Sequence, residues 1–157
     1  MEFNTEIFSQ FHKKWALLTA GNENDFNTMT VSWGGMGTIW NKPVATVYVR
    51  TSRLTHEYME NNDYFTLSFF PEECREILGV LGKKSGRDMD KMKESGLTPK
   101  ACENSMTFAE AEVTIVCKKL YKQTLDPSCM PADIAKQHYE GQPDHDMYIG
   151  EVVAVIQ

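Results

Sequence analysis

The feature that most constrains this chain is the alternation at residues 28–33, Thr-Met-Thr-Val-Ser-Trp. Successive strand side chains point to opposite faces, so Thr28, Thr30 and Ser32 share one face while Met29, Val31 and Trp33 share the other. Such a segment belongs in a sheet with its apolar face buried. The hydroxyl face suits solvent, as on any Thr-rich half-buried strand. It also suits a ligand rich in carbonyl, ring-nitrogen or phosphate atoms, because hydroxyls both donate and accept without imposing a charge. Gly34, Gly35 and Gly37 follow, flanked by Trp33 and Trp40. They predict close backbone approach and positive φ beside flat apolar surface.

Taken in order, the remaining segments supply more strands and short helices. Ile7, Phe8 and Phe11 lie at helical spacing behind a candidate Thr5 cap. Residues 15–20 form an apolar strand that pairs with the hydroxyl strand as a hairpin. Asn41, Lys42 and Pro43 are turn chemistry, and residues 44–50 are a β-branched strand. Residues 63–70 read as a strand ended by Pro71, which opens an amphipathic helix stopped near Gly79 or Gly82. The charged loop 83–91 reads as a solvated face. Residues 108–125 hold a long strand with Cys117 on its core side, residues 130–139 a short helix, and residues 145–156 a closing strand with His145 at its mouth. Tyr48 and Phe69 read as core aromatics. About six strands without regular βαβα alternation disfavour a doubly wound sheet and favour a closed antiparallel barrel.

Composition limits the function classes. With 16 Lys and Arg against 22 Asp and Glu, the net charge of -6 argues against nucleic acid or anionic membrane as partner. Any anion site must therefore be local. Cys74, Cys102, Cys117 and Cys129 form no close pair of the zinc or redox type, which predicts no metal and reduced thiols in a cytoplasmic protein. The opening residues 1–14 lack the pattern of a signal peptide, and no segment has the apolar length to span a bilayer. The 157 residues read as one domain without repeats.

One local basic cluster stands out. Arg50, Thr51, Ser52, Arg53, Leu54, Thr55 and His56 join the β-branched strand to a helix. Free N–H groups at a helix start, together with Arg forks and hydroxyls, favour a phosphate. An ordinary Ser52 or Thr51 cap, with surface arginines paired to Glu57 and Glu60, reads equally well from the residues alone.

Residues 27–34, 50–55 and 62–68, the loop 84–91, and His145 with Ile149, Gly150, Glu151 and Val152 together resemble the flavin reductase-like family, in its order and over most of the chain. The resemblance implies a mainly β fold with short helices, a six-stranded antiparallel Greek-key FMN-binding split barrel, and a homodimer with flavin near the subunit interface. It assigns Asn27, Thr28, Met29, Thr30 and Ser32 to the flavin ring and ribityl chain, and leaves Trp33 as packing. Arg50, Ser52, Arg53 and Thr55 match the segment that receives the FMN phosphate. Ser85, Gly86, Arg87 and Lys91 match a loop bordering the flavin, and His145 a position over the flavin or the nicotinamide, or a polar rim residue.

The implied chemistry is hydride transfer from NADH or NADPH to FMN, then electron delivery to an unidentified acceptor. In such chemistry the protein binds and orients the cofactor, so the lack of a Ser/His/Asp or Cys/His constellation does not count against an enzyme. Two other readings stand beside this one: a flavoredoxin-like FMN electron carrier reduced by a partner protein, and a flavin-free binding module.

Overall fold

The computed structural model describes residues 6–157. The candidate Thr5 cap lies outside them. Helix α1 (Glu6–Ser9) runs on as a π-helical turn over Gln10–Lys14, which buries Phe11 and leaves Phe8 exposed. Strands β1 (Ala16–Asn22), β2 (Asp25–Val31), β3 (Gly34–Ile39), β4 (Lys42–Arg50), β5 (Tyr64–Phe69), β8 (Val113–Thr124) and β9 (His145–Ile156) form one sheet. Their order is β2-β1-β5-β8-β9-β4-β3, and every pairing is antiparallel. Strands β6 (Pro99–Cys102) and β7 (Ser105–Phe108) make a separate hairpin.

The order closes the architecture. β2 and β3 stand at opposite ends of the hydrogen-bonded order, yet only Ser32 and Trp33 link them in the chain. The sheet must therefore curl until its ends meet at those two residues, and no ladder seals the seam among the described residues. The expected class, mainly β and antiparallel with short helices, is what the chain adopts. The expectation of six strands undercounts by three: β3, β6 and β7.

β3 is the glycine run. Its glycines lie in extended backbone, and the expected positive φ occurs instead at Trp40 and Asn41, with φ of 53° and 57°, in the two-residue turn between β3 and β4. Lys42 and Pro43 are already strand. At Gly34 a Cβ would stand 2.6 Å from the Phe11 ring, so glycine there admits the N-terminal segment against the barrel.

Two cores follow from the curl. Leu18, Ala20, Met29, Val31, Ala45, Val47, Val49, Phe65, Leu67, Phe69 and Cys117 point inward. On the outer face of β1, Leu17 joins Phe70, Leu78, Leu81, Leu97 and Phe108 under helix α3 (Arg75–Lys83). β1 is thus buried on both faces, which explains its continuous apolar run. Burial of Leu78 and Leu81 contributes roughly 3–6 kcal/mol to docking α3, and neither Gly79 nor Gly82 stops the helix before Lys83. Helix α2 (Leu54–Asn61) follows β4, α4 (Lys91–Ser95) follows the charged loop, and α5 (Ala132–His138) precedes β9.

Candidate functional site

β2 connects two chemically opposite regions. The first forms where α2 begins, α3 ends and the loop 84–90 returns to α4. Asn27 donates from Nδ2 to Thr55 Oγ1 at 2.7 Å. Gly86 sits over this pair so closely that a Cβ would lie 2.5 Å from Asn27 Oδ1. Lys91, which is buried, donates from Nζ to the Thr28 carbonyl at 2.6 Å and the Leu81 carbonyl at 3.2 Å. Arg53 donates from Nη1 to the Gly82 carbonyl at 2.9 Å. Both cations therefore meet the carbonyl end of α3, where the helix dipole is negative.

That anchoring leaves a donor over. Arg53 Nη2 is buried and has no hydrogen-bond partner. Neither Arg53 nor Lys91 pairs with a carboxylate among the described residues; the nearby ion pairs are Lys84–Glu94 and Arg87–Glu57. Desolvation lowers the Arg53 pKa, and desolvation, then the Arg53 charge, pushes the Lys91 ammonium down to about 8. Two mutually repelling cations under an unfilled donor fit an anion. A cleft of about 470 Å³ opens beside Arg53, lined by Ser52, Arg53, Lys83, Lys84 and Ser85 together with the carboxylates Asp88 and Glu94, the second of which is paired with Lys84. Its guanidinium, ammonium and hydroxyl groups match the needs of a phosphate.

The ordinary-cap alternative does not hold. Arg53 itself occupies the N-cap of α2, and no side chain caps the helix. Glu57 is paired by Arg87, which also donates to the Ser52 carbonyl, rather than by Arg50 or Arg53. Glu60 is paired by Lys122.

The second region lies at the β2–β3 seam. A cavity of about 690 Å³ is walled by Phe11, Ser32, Trp33, Tyr48, Ile134, Tyr139 and neighbouring apolar groups. Trp33 does not pack beneath the hydroxyl strand as the alternation implies; it is 40% exposed and meets the His138 and His145 rings edge-on and tilted. Tyr48 is likewise not core, because β4 turns Val47 and Val49 inward and Tyr48 outward to the cavity. His145 opens β9, is buried, and shares a 3.1 Å hydrogen bond between its Nδ1 and the Tyr139 hydroxyl. Desolvation, followed by the charges of Arg50 and His138, pushes its imidazole down to about 4.

The sequence-nominated residues thus divide. Asn27, Thr28, Ser52, Arg53, Thr55, Ser85, Gly86, Arg87 and Lys91 gather at the basic end, while Ser32 and His145 lie at the seam. Arg50 belongs with the seam: it donates to the Pro143 and His138 carbonyls at 2.6 and 3.1 Å, with its guanidinium 5.8 Å from the Tyr139 ring centre. Met29 points into the barrel core. The hydroxyl row is largely spent on the protein, with Thr28 bonded to Thr19 and the Leu18 carbonyl, and Thr30 donating to the Leu78 carbonyl.

The sequence reads Tyr48 as core, and His138 and Tyr139 only as part of a short helix, so it nominates none of the three as cavity residues. The adjacent His138 and Tyr139 at a helix end are the only hint, and they carry no periodic signal. A further network ties α2 to the sheet. Asp146 accepts from His56 and Thr124, Tyr148 donates to Glu60, and Lys122 reaches both carboxylates. His56, Glu60 and Asp146 bring ligand atoms together, but the Lys122 ammonium already supplies a cation among them. The network holds the helix whose start presents Arg53.

Among solved structures the fold is shared with an FMN-binding protein of Thermus thermophilus, at 20% identity, TM-score 0.74, and coverage of 100% of this chain and 77% of that one. Flavoredoxin of Methanosarcina acetivorans matches at 20% identity and TM-score 0.71 over 100% of this chain and 74% of its own. Nitrilotriacetate monooxygenase component B of Bacillus cereus matches at 18% identity and TM-score 0.70 over 90% and 67%. No curated protein sequence matches significantly. The model of the flavin reductase-like domain matches residues 8–157, the span that carries the barrel, the basic end and the aromatic seam, and the chain belongs to that family.

Proposed function

We propose that this protein binds FMN and acts as an NAD(P)H-dependent flavin reductase. The observation that carries the reading is the buried Arg53 Nη2 without a partner, beside Lys91 and the Ser52 and Ser85 hydroxyls. A buried polar group left unmade costs about 1–3 kcal/mol, more when charged, and a phosphate oxygen would recover that cost. From Thr28, whose carbonyl holds Lys91, to Ser32 at the cavity is four strand residues, roughly 13 Å. That separation suits a ligand with an anionic head and a flat ring joined by a flexible chain. Asn27, Thr28, Gly86 and Lys91 together line a small pocket at the basic end of this span.

FMN supplies hydride acceptance and electron release, and this chain's part is to anchor, orient and enclose it. Arg53 and Lys91 neutralise the phosphate, while Trp33 and Tyr48 bound the ring. Exposed Ile39, Trp40, Tyr121, Val153 and Val155 support the homodimer reading. No helix is long and apolar enough to cross a membrane.

The test is the visible spectrum after adding FMN and desalting, followed by anaerobic addition of NADH or NADPH. Retained flavin bands that bleach with a nicotinamide are the expected result. Bands that persist unbleached would replace the reductase with an electron carrier. A colourless protein with no affinity in equilibrium titration would remove the flavin reading.

A further inference from the structure

The N-terminal segment joins the barrel through an unusual backbone. Trp15, between the π-helical turn and β1, has φ 66° and ψ 164°. That region is essentially reserved for glycine, and a larger residue stays there only when its surroundings hold it, a situation that recurs at ligand clamps and switches. Two contacts hold Trp15. Its indole packs against the second core beneath α3, with the Arg75 guanidinium 4.2 Å from the ring centre. On the N-terminal side, Phe11 packs over Gly34 and meets the Phe69 ring edge-on, the ring centres 5.7 Å apart. The turn that carries Phe11, Gln10–Lys14, is π-helical, a rare geometry found frequently at functional sites. Beyond it, α1 contains no buried residue.

We propose that residues 6–14 are a strap that opens and closes over the seam cavity, turning about Trp15, with Arg75 as the positioning residue that holds it shut. The strap supplies Ile7, Phe8, Phe11 and His12 to the cavity wall, so closing adds one side to the ring's seat and opening removes it. In the closed form the stacked guanidinium keeps the indole, and with it the strained φ and ψ, in place. When Phe11 leaves Gly34, the Trp15 backbone is released to relax. Strain therefore favours the open form, while the Phe11 and Arg75 contacts favour the closed one. A bound ring that touches Phe11 only in the closed form shifts the population toward it. Arg75 lies on α3, outside the cavity lining, so it acts on the ring through Trp15. Naming that ring a flavin rests on the proposed function; the opening motion does not.

Limited digestion with trypsin reads the strap directly. Cleavage after the exposed Lys13 or Lys14 needs extended chain, which the π-helical turn does not present, so the cutting rate follows the population of the open form. The native protein without ligand should be cut there, as identified by mass spectrometry, and FMN at about ten times its dissociation constant should slow the cut about tenfold. Arg75→Gln removes the cation over Trp15; it should speed the cut in the ligand-free protein about fivefold and shorten the residence time of FMN in stopped flow. Arg75→Lys keeps a cation there and should stay within about twofold of the native rate. A purely structural Arg75 would lower the melting temperature and leave cutting at Lys13 and Lys14 unchanged relative to cutting elsewhere. Resistance at both bonds in the ligand-free protein, or an unchanged rate in Arg75→Gln, would overturn the strap. Undiminished cutting with FMN bound would do the same. Should Arg75→Gln melt below assay temperature, Phe11→Leu decides: losing the edge contact with Phe69 should speed the cut, and an unchanged rate refutes the strap. Absence of FMN binding in titration would fail the flavin reading alone, because the ligand-free comparison of native and Arg75→Gln still decides the opening motion.

Discussion

The two ends of β2 treat charge in opposite ways. At the Arg53 end, a buried ammonium and a half-buried guanidinium hydrogen-bond only to carbonyls, and a buried donor is left over. At the Tyr139 end, the one buried titratable ring is held neutral and hydrogen-bonded, and the nearest guanidinium is tied to backbone. The first region is incomplete without an anion. The second is complete in itself and offers only apolar walls and a hydroxyl. A strand of ordinary sequence length thus separates a site that binds by charge from one that binds by shape, and a ligand with both characters can use the two together.

The contrast can be broken most forcefully at His145. Its folded pKa of about 4 lies below the ordinary 6.5. The unfolded chain then takes up a proton first, so the stability associated with the neutral ring is present above about 6.5 and is lost as pH falls toward 4. The full effect is on the order of 3 kcal/mol. Melting curves of the native protein and His145→Gln between pH 7.5 and 4.5 should converge as pH falls; parallel curves would mean the seam does not exclude charge.

At the other end, Arg53→Ala should weaken FMN by about 1–3 kcal/mol and leave riboflavin affinity unchanged, because riboflavin lacks the phosphate. Equal losses for both ligands in calorimetric titration would move the phosphate elsewhere. A smaller effect belongs to Lys91. With its free-state pKa near 8, the bound dianion favours the charged ammonium, so FMN affinity should fall by about tenfold as pH rises from 7 to 9.5. In Lys91→Met that slope should be absent. The smallest change expected is at Thr30→Val. Loss of its hydrogen bond to the Leu78 carbonyl should cost about 1 kcal/mol of stability while FMN affinity holds within about twofold, since the hydroxyl already serves α3. A large drop in affinity would return Thr30 to the flavin.

Much of this molecule was legible before folding was considered. The alternation over residues 28–33 placed β2, β-branched residues 44–50 placed β4, and Cys117 fell on the core side of a strand, because each rests on local period and propensity. The basic cluster at Arg53 was visible as positive residues in an acidic chain. The glycine run was misread, since Gly34 to Ile39 has little intrinsic strand character and becomes β3 through pairing with β4. Trp33 was placed by parity beneath the sheet, but parity ends where β2 ends and the chain crosses the seam.

By itself, then, the amino-acid sequence determined six of the nine strands, the antiparallel class and the family, through patterns that span a few residues each and recur in order. Only the tertiary structure decided which nominated side chains share a site. Curling of the sheet carried Arg50 to the seam and Arg53 to the end of α3, although two residues separate them. Docking of α3 consumed the Thr30 hydroxyl that alternation alone left free. It also buried Lys91 beside Arg53, leaving the unpaired donor on which the functional reading rests. Hydrogen-bond satisfaction and desolvation depend on what lies across space from a residue, and a one-dimensional pattern does not encode that.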